Sequence, residues 1–149
     1  MGAGITFDDS LWPLLICRYG GTLSDADFEE SVVRGGAYLR RGEPYVIVFD
    51  MGRLQLPTVT QRRHQLEWMR SQQGAIRERI IGCAFILSSP FIRMALSAVF
   101  HVVPSPMPYV AVQDLDTAVR WACLRLEERG FTEAARRARA HFALEPEPR

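Results

Sequence analysis

Two long apolar runs in the middle of the chain restrict what it can fold into. The first run, residues 45–49, ends at Asp50, and the second, residues 80–87, ends at Ser88. A segment whose apolar residues have helical spacing follows each run. Runs with so little polar alternation are typical of strands buried on both faces of a parallel sheet. The sequence therefore predicts an α/β fold with its functional site at the carboxyl ends of the strands.

Apolar spacing, capping residues and glycines predict the other elements. We expect an opening hairpin with strands at 5–9 and 14–19. Further strands are expected at 45–49, 80–87 and 109–112, and helices at 25–41, 58–74, 90–100, 114–130 and 132–144. Right-handed crossovers then give a single, mostly parallel sheet of about five strands flanked by helices, with a helical extension at its C-terminal end.

The length of the chain fits one domain. At 149 residues and 48% hydrophobic content, it can bury roughly two thirds of its unfolded surface. We expect residues 1–130 to form the α/β domain and residues 131–149 to form a terminal helix with a frayed tail.

Charge and composition argue against several classes of function. The formal net charge is only +1 and the basic residues are spread along the chain, so no nucleic-acid partner is expected. All 18 basic residues are arginine. The chain therefore lacks a lysine for a Schiff base, for general-base catalysis or for a phosphate-binding P-loop.

The cysteines are scattered along the chain, and so are the histidines at positions 64, 101 and 141. Cys17, Cys83 and Cys123 each lie in an apolar run far from the others, so neither a disulfide framework nor a metal site is predicted, and no cofactor is expected. No secretory signal pattern opens the sequence, and no stretch reaches the ~20 apolar residues of a transmembrane helix. We therefore expect a cytoplasmic protein.

Polar residues at the strand ends form the candidate ligand or partner site. Asp50 follows one apolar run, while Ser88 and Ser89 follow the other and Arg93 lies one turn further on. A simpler interpretation is that Asp50 caps a turn and the serines cap the next helix. Since the G-x-S-x-G pattern of a hydrolase is absent, no catalytic residue is assigned.

The helix predicted at 90–100 is apolar on nearly every side. Phe91, Ile92, Leu96 and Phe100 cannot all face one sheet at 100° per residue. We therefore expect this helix to bury surface against the terminal helix or against a second copy of the chain, and we expect a homodimer.

The order of elements and four segments resemble a STAS-type domain of the SpoIIAA-like group, to which bacterial anti-sigma-factor antagonists belong. The segments that carry the resemblance are residues 45–50, 56–58, 81–86 and 116–122. The resemblance covers residues 5–129 and implies a protein-binding scaffold.

In such antagonists a phosphorylated Ser or Thr opens the helix after an Asp-ended strand. The resemblance places Thr58 nearest to that position, with Arg53, Arg62 and Arg63 close in sequence to pair with a phosphate. The chain departs from the Asp-Ser-Ser-Gly-like pattern of the family, because Pro57 replaces the acid and no glycine follows.

Three hypotheses for function remain. The first is a non-catalytic regulatory or protein-interaction module of STAS-like type in a bacterial cytoplasm. The second is a domain that binds a small molecule or lipid, with an apolar ligand beside the helix at 90–100. The third is an enzyme of unknown class that uses the strand-end site around Asp50. A closed apolar pocket would favour the second, and a histidine and a hydroxyl within reach of Asp50 would favour the third.

Overall fold

The computed structural model of the protein describes residues 4–21, 24–51, 58–102 and 107–144. Its elements, in chain order, are β1 (Gly4–Leu11), β2 (Leu14–Gly20), α1 (Asp25–Leu39), β3 (Tyr45–Asp50), α2 (Val59–Ser71), α3 (Gln73–Arg79), β4 (Ile80–Ile86), α4 (Pro90–Val102), β5 (Tyr109–Val112), α5 (Leu115–Glu128) and α6 (Thr132–His141).

The described strands form one five-stranded sheet in the order β1-β2-β3-β4-β5. β1 pairs with β2 as an antiparallel hairpin, and all later pairs are parallel. The predicted α/β class and the mostly parallel sheet are therefore confirmed.

The helices that connect parallel strands all cover the same face of the sheet. Because the strands follow one another in sheet order, each right-handed crossover places its helix on the same side. Leu39 of α1, Ile76 of α3 and Leu96 of α4 belong there to one hydrophobic cluster with Cys83 and Phe85 of β4.

The opposite face is covered by the two helices that follow β5. Val119 and Leu126 of α5 are fully buried against Val46 and Val48 of β3, and Ala135 of α6 is buried in the same cluster. The small side chains of α6 allow it to lie close to α5. The terminal helix therefore contributes to the main core.

α4 and α6 lie on opposite faces of the sheet, so the first of the two expected arrangements, in which α4 packs against the terminal helix, is wrong. α4 is a crossover helix and must lie on the crossover face. α6 follows α5, which has already crossed to the other face.

The single helix predicted at 58–74 is two helices that meet at Gln72. Gln72 has φ −107° and ψ 12°, outside the helical range. Before it, the Ser71 hydroxyl donates a hydrogen bond of 2.8 Å to the Trp68 carbonyl, a local bond that competes with helix continuation. The break redirects the chain so that Ile76 of α3 is buried.

Candidate functional site

The carboxyl ends of β3 and β4 lie side by side. Asp50, the last residue of β3, has Ile86 of β4 as its partner in the parallel ladder. The Met51 amide continues the ladder by donating to the Ile86 carbonyl at 3.1 Å. Ser88 and Ser89 follow directly, so they lie at the same edge as Asp50. Asp50, a half-buried residue, is thus at the position that the sequence indicates.

The turn from β4 into α4 uses two of the predicted site residues. The Ile92 amide donates to Ser89 Oγ at 3.4 Å, so Ser89 caps α4. Arg93 Nη1 donates to the Leu87 carbonyl at 2.8 Å. Both side chains therefore hold the strand-to-helix turn, and Ser88 is the exposed hydroxyl of the pair.

Thr58 begins α2 in a reciprocal capping box. The Gln61 amide donates to Thr58 Oγ1 at 3.0 Å, while the Thr58 amide donates to Gln61 Oε1 at 3.2 Å. The box satisfies two backbone groups that a helix start leaves unpaired. Thr58 itself is exposed to solvent.

Gln61 joins the beginnings of two helices. Its side chain is buried, and Nε2 donates a hydrogen bond of 3.1 Å to Asp25 Oδ1, in the first turn of α1. Sequence reasoning did not single out this residue. The spacing of Thr58 and Gln61 is a readable capping-box signal, but the contact with Asp25 depends on the tertiary fold.

Four helices begin at the carboxyl edge of the sheet. α1, α2, α4 and α5 each follow a parallel strand. Their N-terminal amides and dipoles give this edge partial positive charge. Arg53 lies outside the described residues, as do Leu56 and Pro57, and Arg62 and Arg63 are exposed on the first turns of α2.

The four predicted interface residues of α4 separate into two groups. Ile92, Leu96 and Phe100 are half-buried against the sheet of their own chain. Phe91, in contrast, is 68% exposed, and Met94, which sequence reasoning did not select, is 71% exposed.

A surface groove of about 360 Å³ lies between α1 and α2. Val32 and Trp68 supply apolar side chains to its lining, and Glu29, Glu67 and His64 supply charged or polar ones. His64 Nδ1 and Glu29 Oε1 are 3.2 Å apart.

The buried thiols are poor nucleophiles. Desolvation by burial raises the pKa of Cys17 to about 12 and raises the pKa of Cys83 further above its usual value. The reactive form of cysteine is the thiolate, so neither residue provides nucleophilic chemistry at neutral pH.

Two features are absent from the residues that the structure describes. Nowhere in the described ranges do three or more His, Cys, Asp or Glu side chains gather in a way that could hold a metal ion. Within the same ranges, no helix is both long and apolar enough to cross a membrane.

Comparison with known proteins identifies the fold. An uncharacterised DUF3478-family protein with a SpoIIAA-like fold from Shewanella loihica PV-4 superposes with a TM-score of 0.63 at 18% identity, over 82% of this chain and 94% of that one. An anti-sigma factor antagonist from Mycobacterium paratuberculosis superposes with a TM-score of 0.53 at 11% identity, over 81% of this chain and 94% of that one. No family model and no curated protein matches the sequence. The chain therefore has a SpoIIAA-like fold, which is the fold that its sequence predicts.

Proposed function

We propose that the chain is a non-catalytic regulatory module that binds a protein partner at the carboxyl edge of its sheet in a bacterial cytoplasm. The observation that carries the proposal is the exposed Thr58, which opens α2 and is linked through Gln61 to the start of α1. The similarity in fold to an anti-sigma factor antagonist supports a regulatory role.

A phosphoryl group on Thr58 would change the charge of this edge. It would add about two negative charges at neutral pH. A helix N-terminus stabilises an anion, and Arg62 and Arg63 on the same helix supply cations. Asp25, joined to Thr58 through a single glutamine side chain, would oppose the new charge. The proposed switch therefore acts on both the surface charge and the α1–α2 junction.

The proposal can be tested with variants of Thr58 and a matched control. Immobilised wild type, Thr58→Glu, Thr58→Ala and Thr60→Glu would be compared for quantitative capture of proteins from a bacterial lysate. Thr60 is exposed on the same turn, so Thr60→Glu adds the same charge two residues away. We expect Thr58→Glu alone to capture the partner roughly tenfold more weakly than wild type does. A tenfold lower affinity corresponds to a loss of about 1.4 kcal/mol in binding free energy.

Equal capture by Thr58→Glu and Thr60→Glu would refute the switch. A lack of any specifically captured protein would refute the partner-binding module itself. Circular dichroism of each variant would first establish that it is folded, because Thr58→Ala removes a helix cap.

We also propose that the protein forms a homodimer through the outer face of α4. This face exposes Phe91 and Met94, and Arg93, the only formally charged residue of α4, bonds to the Leu87 carbonyl at the strand-to-helix turn. A two-fold interface places a surface against its own copy, so a charged face would repel itself and an uncharged apolar face does not.

Light scattering after size-exclusion chromatography tests the dimer. We expect twice the mass of one chain for wild type and for the control Val33→Glu. Val33 is an apolar residue of similar exposure, but it lies on α1, outside the proposed interface. Met94→Glu should give the mass of one chain. A monomeric wild type, or a dimer that survives Met94→Glu and Phe91→Glu, would contradict this interface.

The two alternative functions have less support. Beside α4, where the second hypothesis places an apolar ligand, the rings of Phe85, Phe100 and Tyr109 pack together with centroids 4.5–6.4 Å apart. For an enzyme, Asp50 would need a histidine nearby. His64 instead pairs with Glu29, and His101 lies near the far end of α4, about 16 Å along the helix from its start.

A further inference from the structure

The groove between α1 and α2 holds a carboxylate that makes no ion pair with the described residues. Within the described part of the chain, the Glu67 carboxylate has neither a hydrogen bond nor an ion pair. Arg63 and Arg70 lie four residues before and three residues after it on the same helix, where ion pairs with Glu67 are geometrically allowed. Glu67 is thus available to a cation from outside the chain.

The groove combines this charge with an apolar wall. Trp68 lines it from α2 and Val32 from α1, and Glu29 contributes a second carboxylate beside His64. The Trp68 side chain also packs against the core, which holds the indole in place. The occupant that matches this lining has a positive end and an apolar stem.

We infer that the α1–α2 groove binds a guanidinium group, presented as an arginine side chain by a protein partner. The guanidinium is planar, donates two parallel hydrogen bonds to a carboxylate and stacks on aromatic rings. The methylene stem of arginine packs on apolar surface while its charged end remains polar. Glu67 and Glu29 would receive the charge, and Trp68 and Val32 would contact the stem.

The position of the groove favours a protein over a small metabolite as the source of this group. The groove is open to solvent, and Val33, the residue after Val32 on α1, exposes 65% of its surface. A bound protein segment would cover Val33, whereas a single small cation would not. The inference rests on the proposed partner-binding function, for which it supplies a second contact surface.

The test is a titration of the full chain observed by NMR at the indole N–H resonances. The probe is N-acetyl-arginine amide, and its control is N-acetyl-citrulline amide, which has nearly the same shape without the charge. Trp68→Phe identifies the Trp68 resonance among the three tryptophans. We expect the arginine probe alone to shift the Trp68 signal, leaving Trp12 and Trp121 unchanged.

Variants of two glutamates locate the binding charge. Glu67→Gln keeps the shape of the groove and should weaken binding of the probe by roughly fivefold or more. Glu78→Gln, an exposed glutamate on α3, should leave the affinity unchanged. Equal shifts with arginine and citrulline probes, or equal affinity in both variants, would overturn the inference.

A second arm separates the two sources of a guanidinium group. A peptide in which apolar residues flank the arginine should bind more tightly than N-acetyl-arginine amide, because the flanking residues also cover Val33. Tighter binding of N-acetyl-arginine amide would overturn the protein source. Neither probe requires the regulatory partner, so a failed titration would leave the Thr58 capture result standing, and a failed capture would leave the titration interpretable.

Discussion

Gln61 on α2 and Asp25 on α1 are joined by a hydrogen bond of 3.1 Å, although 36 residues separate them in the chain. The same glutamine accepts from the Thr58 amide, so one buried side chain connects the starts of two helices. The start of α2 is therefore joined to the start of α1 directly, by a route that does not include the sheet.

Replacing Gln61 should destabilise the protein measurably. Gln61→Ala removes the side-chain hydrogen bonds to the Thr58 amide and to Asp25 and leaves a small cavity, and we expect a loss of about 1–2 kcal/mol in the free energy of unfolding. Urea unfolding followed by circular dichroism measures this loss. Gln65→Ala, at an exposed position on the same helix, should change stability by less than about 0.5 kcal/mol. Equal effects of the two substitutions would mean that the link to Asp25 contributes nothing.

Gly82 of β4 is required by the close approach of Trp121 on α5. A Cβ atom at this position would lie 2.6 Å from Trp121 Cη2 and 3.0 Å from Cζ3. Gly82→Ala must therefore displace the indole, and we expect a destabilisation of about 1–3 kcal/mol. Gly35→Ala is the matched control, since an added Cβ there meets nothing within 4 Å and should stabilise α1 by about 0.5–1 kcal/mol. A neutral Gly82→Ala in urea unfolding would contradict the contact.

The central parallel strands could be predicted because burial on both faces leaves a continuous apolar signal. Residues 45–49 and 80–87 carry that signal, and parallel pairing then brings Asp50 and Ser88 to one edge of the sheet. The helix break at Gln72 left no comparable signal, because the nearby Gly74 suggested a later stop and the local bond from Ser71 depends on the folded geometry.

The role of α4 could be predicted only in part. A helix that is apolar on nearly every side does not reveal which side faces the sheet. The path of the chain decides it, by turning Leu96 and Phe100 inward and Phe91 and Met94 outward. The same holds for Gln61, whose capping role is visible in the sequence while its partner Asp25 is fixed by the packing of α1 on α2.

Stability should fall at alkaline pH. Burial raises the pKa values of Cys17, Cys83 and Tyr45, while a thiol in the unfolded chain ionises near about 8.5. Because the folded pKa is the higher one, the contribution of each thiol to stability is complete below about pH 8.5 and is lost progressively as the pH rises above it. The urea midpoint should hold between pH 7 and 8 and decline above about pH 9. A midpoint that stays constant up to about pH 11 would contradict this prediction.

Accessible thiols should be absent from the native state. Cys17, Cys83 and Cys123 are all buried, and alkylation requires both access and a thiolate. Mass spectrometry after treatment with iodoacetamide at pH 8 should find the native protein unmodified and the urea-unfolded protein carrying three adducts. Rapid modification of the native chain would show that one of these thiols is exposed.

Asp114 should stabilise α5 in a manner that depends on pH. Its Oδ1 accepts from the Thr117 amide at 2.8 Å and from the Thr117 hydroxyl at 2.7 Å, and these bonds lower the pKa of the carboxyl group. A lowered folded pKa contributes stability that is present above the unfolded pKa of about 3.9 and is lost as the pH falls through the folded value. The difference in urea midpoint between wild type and Asp114→Ala should therefore be largest near neutral pH and shrink toward pH 3.

Asp116→Ala, in the same turn and exposed, should cost less stability at neutral pH, because Asp116 is not the residue that caps α5. A difference for Asp114→Ala that stays the same at every pH would mean that the charged form of the cap is not what stabilises the helix.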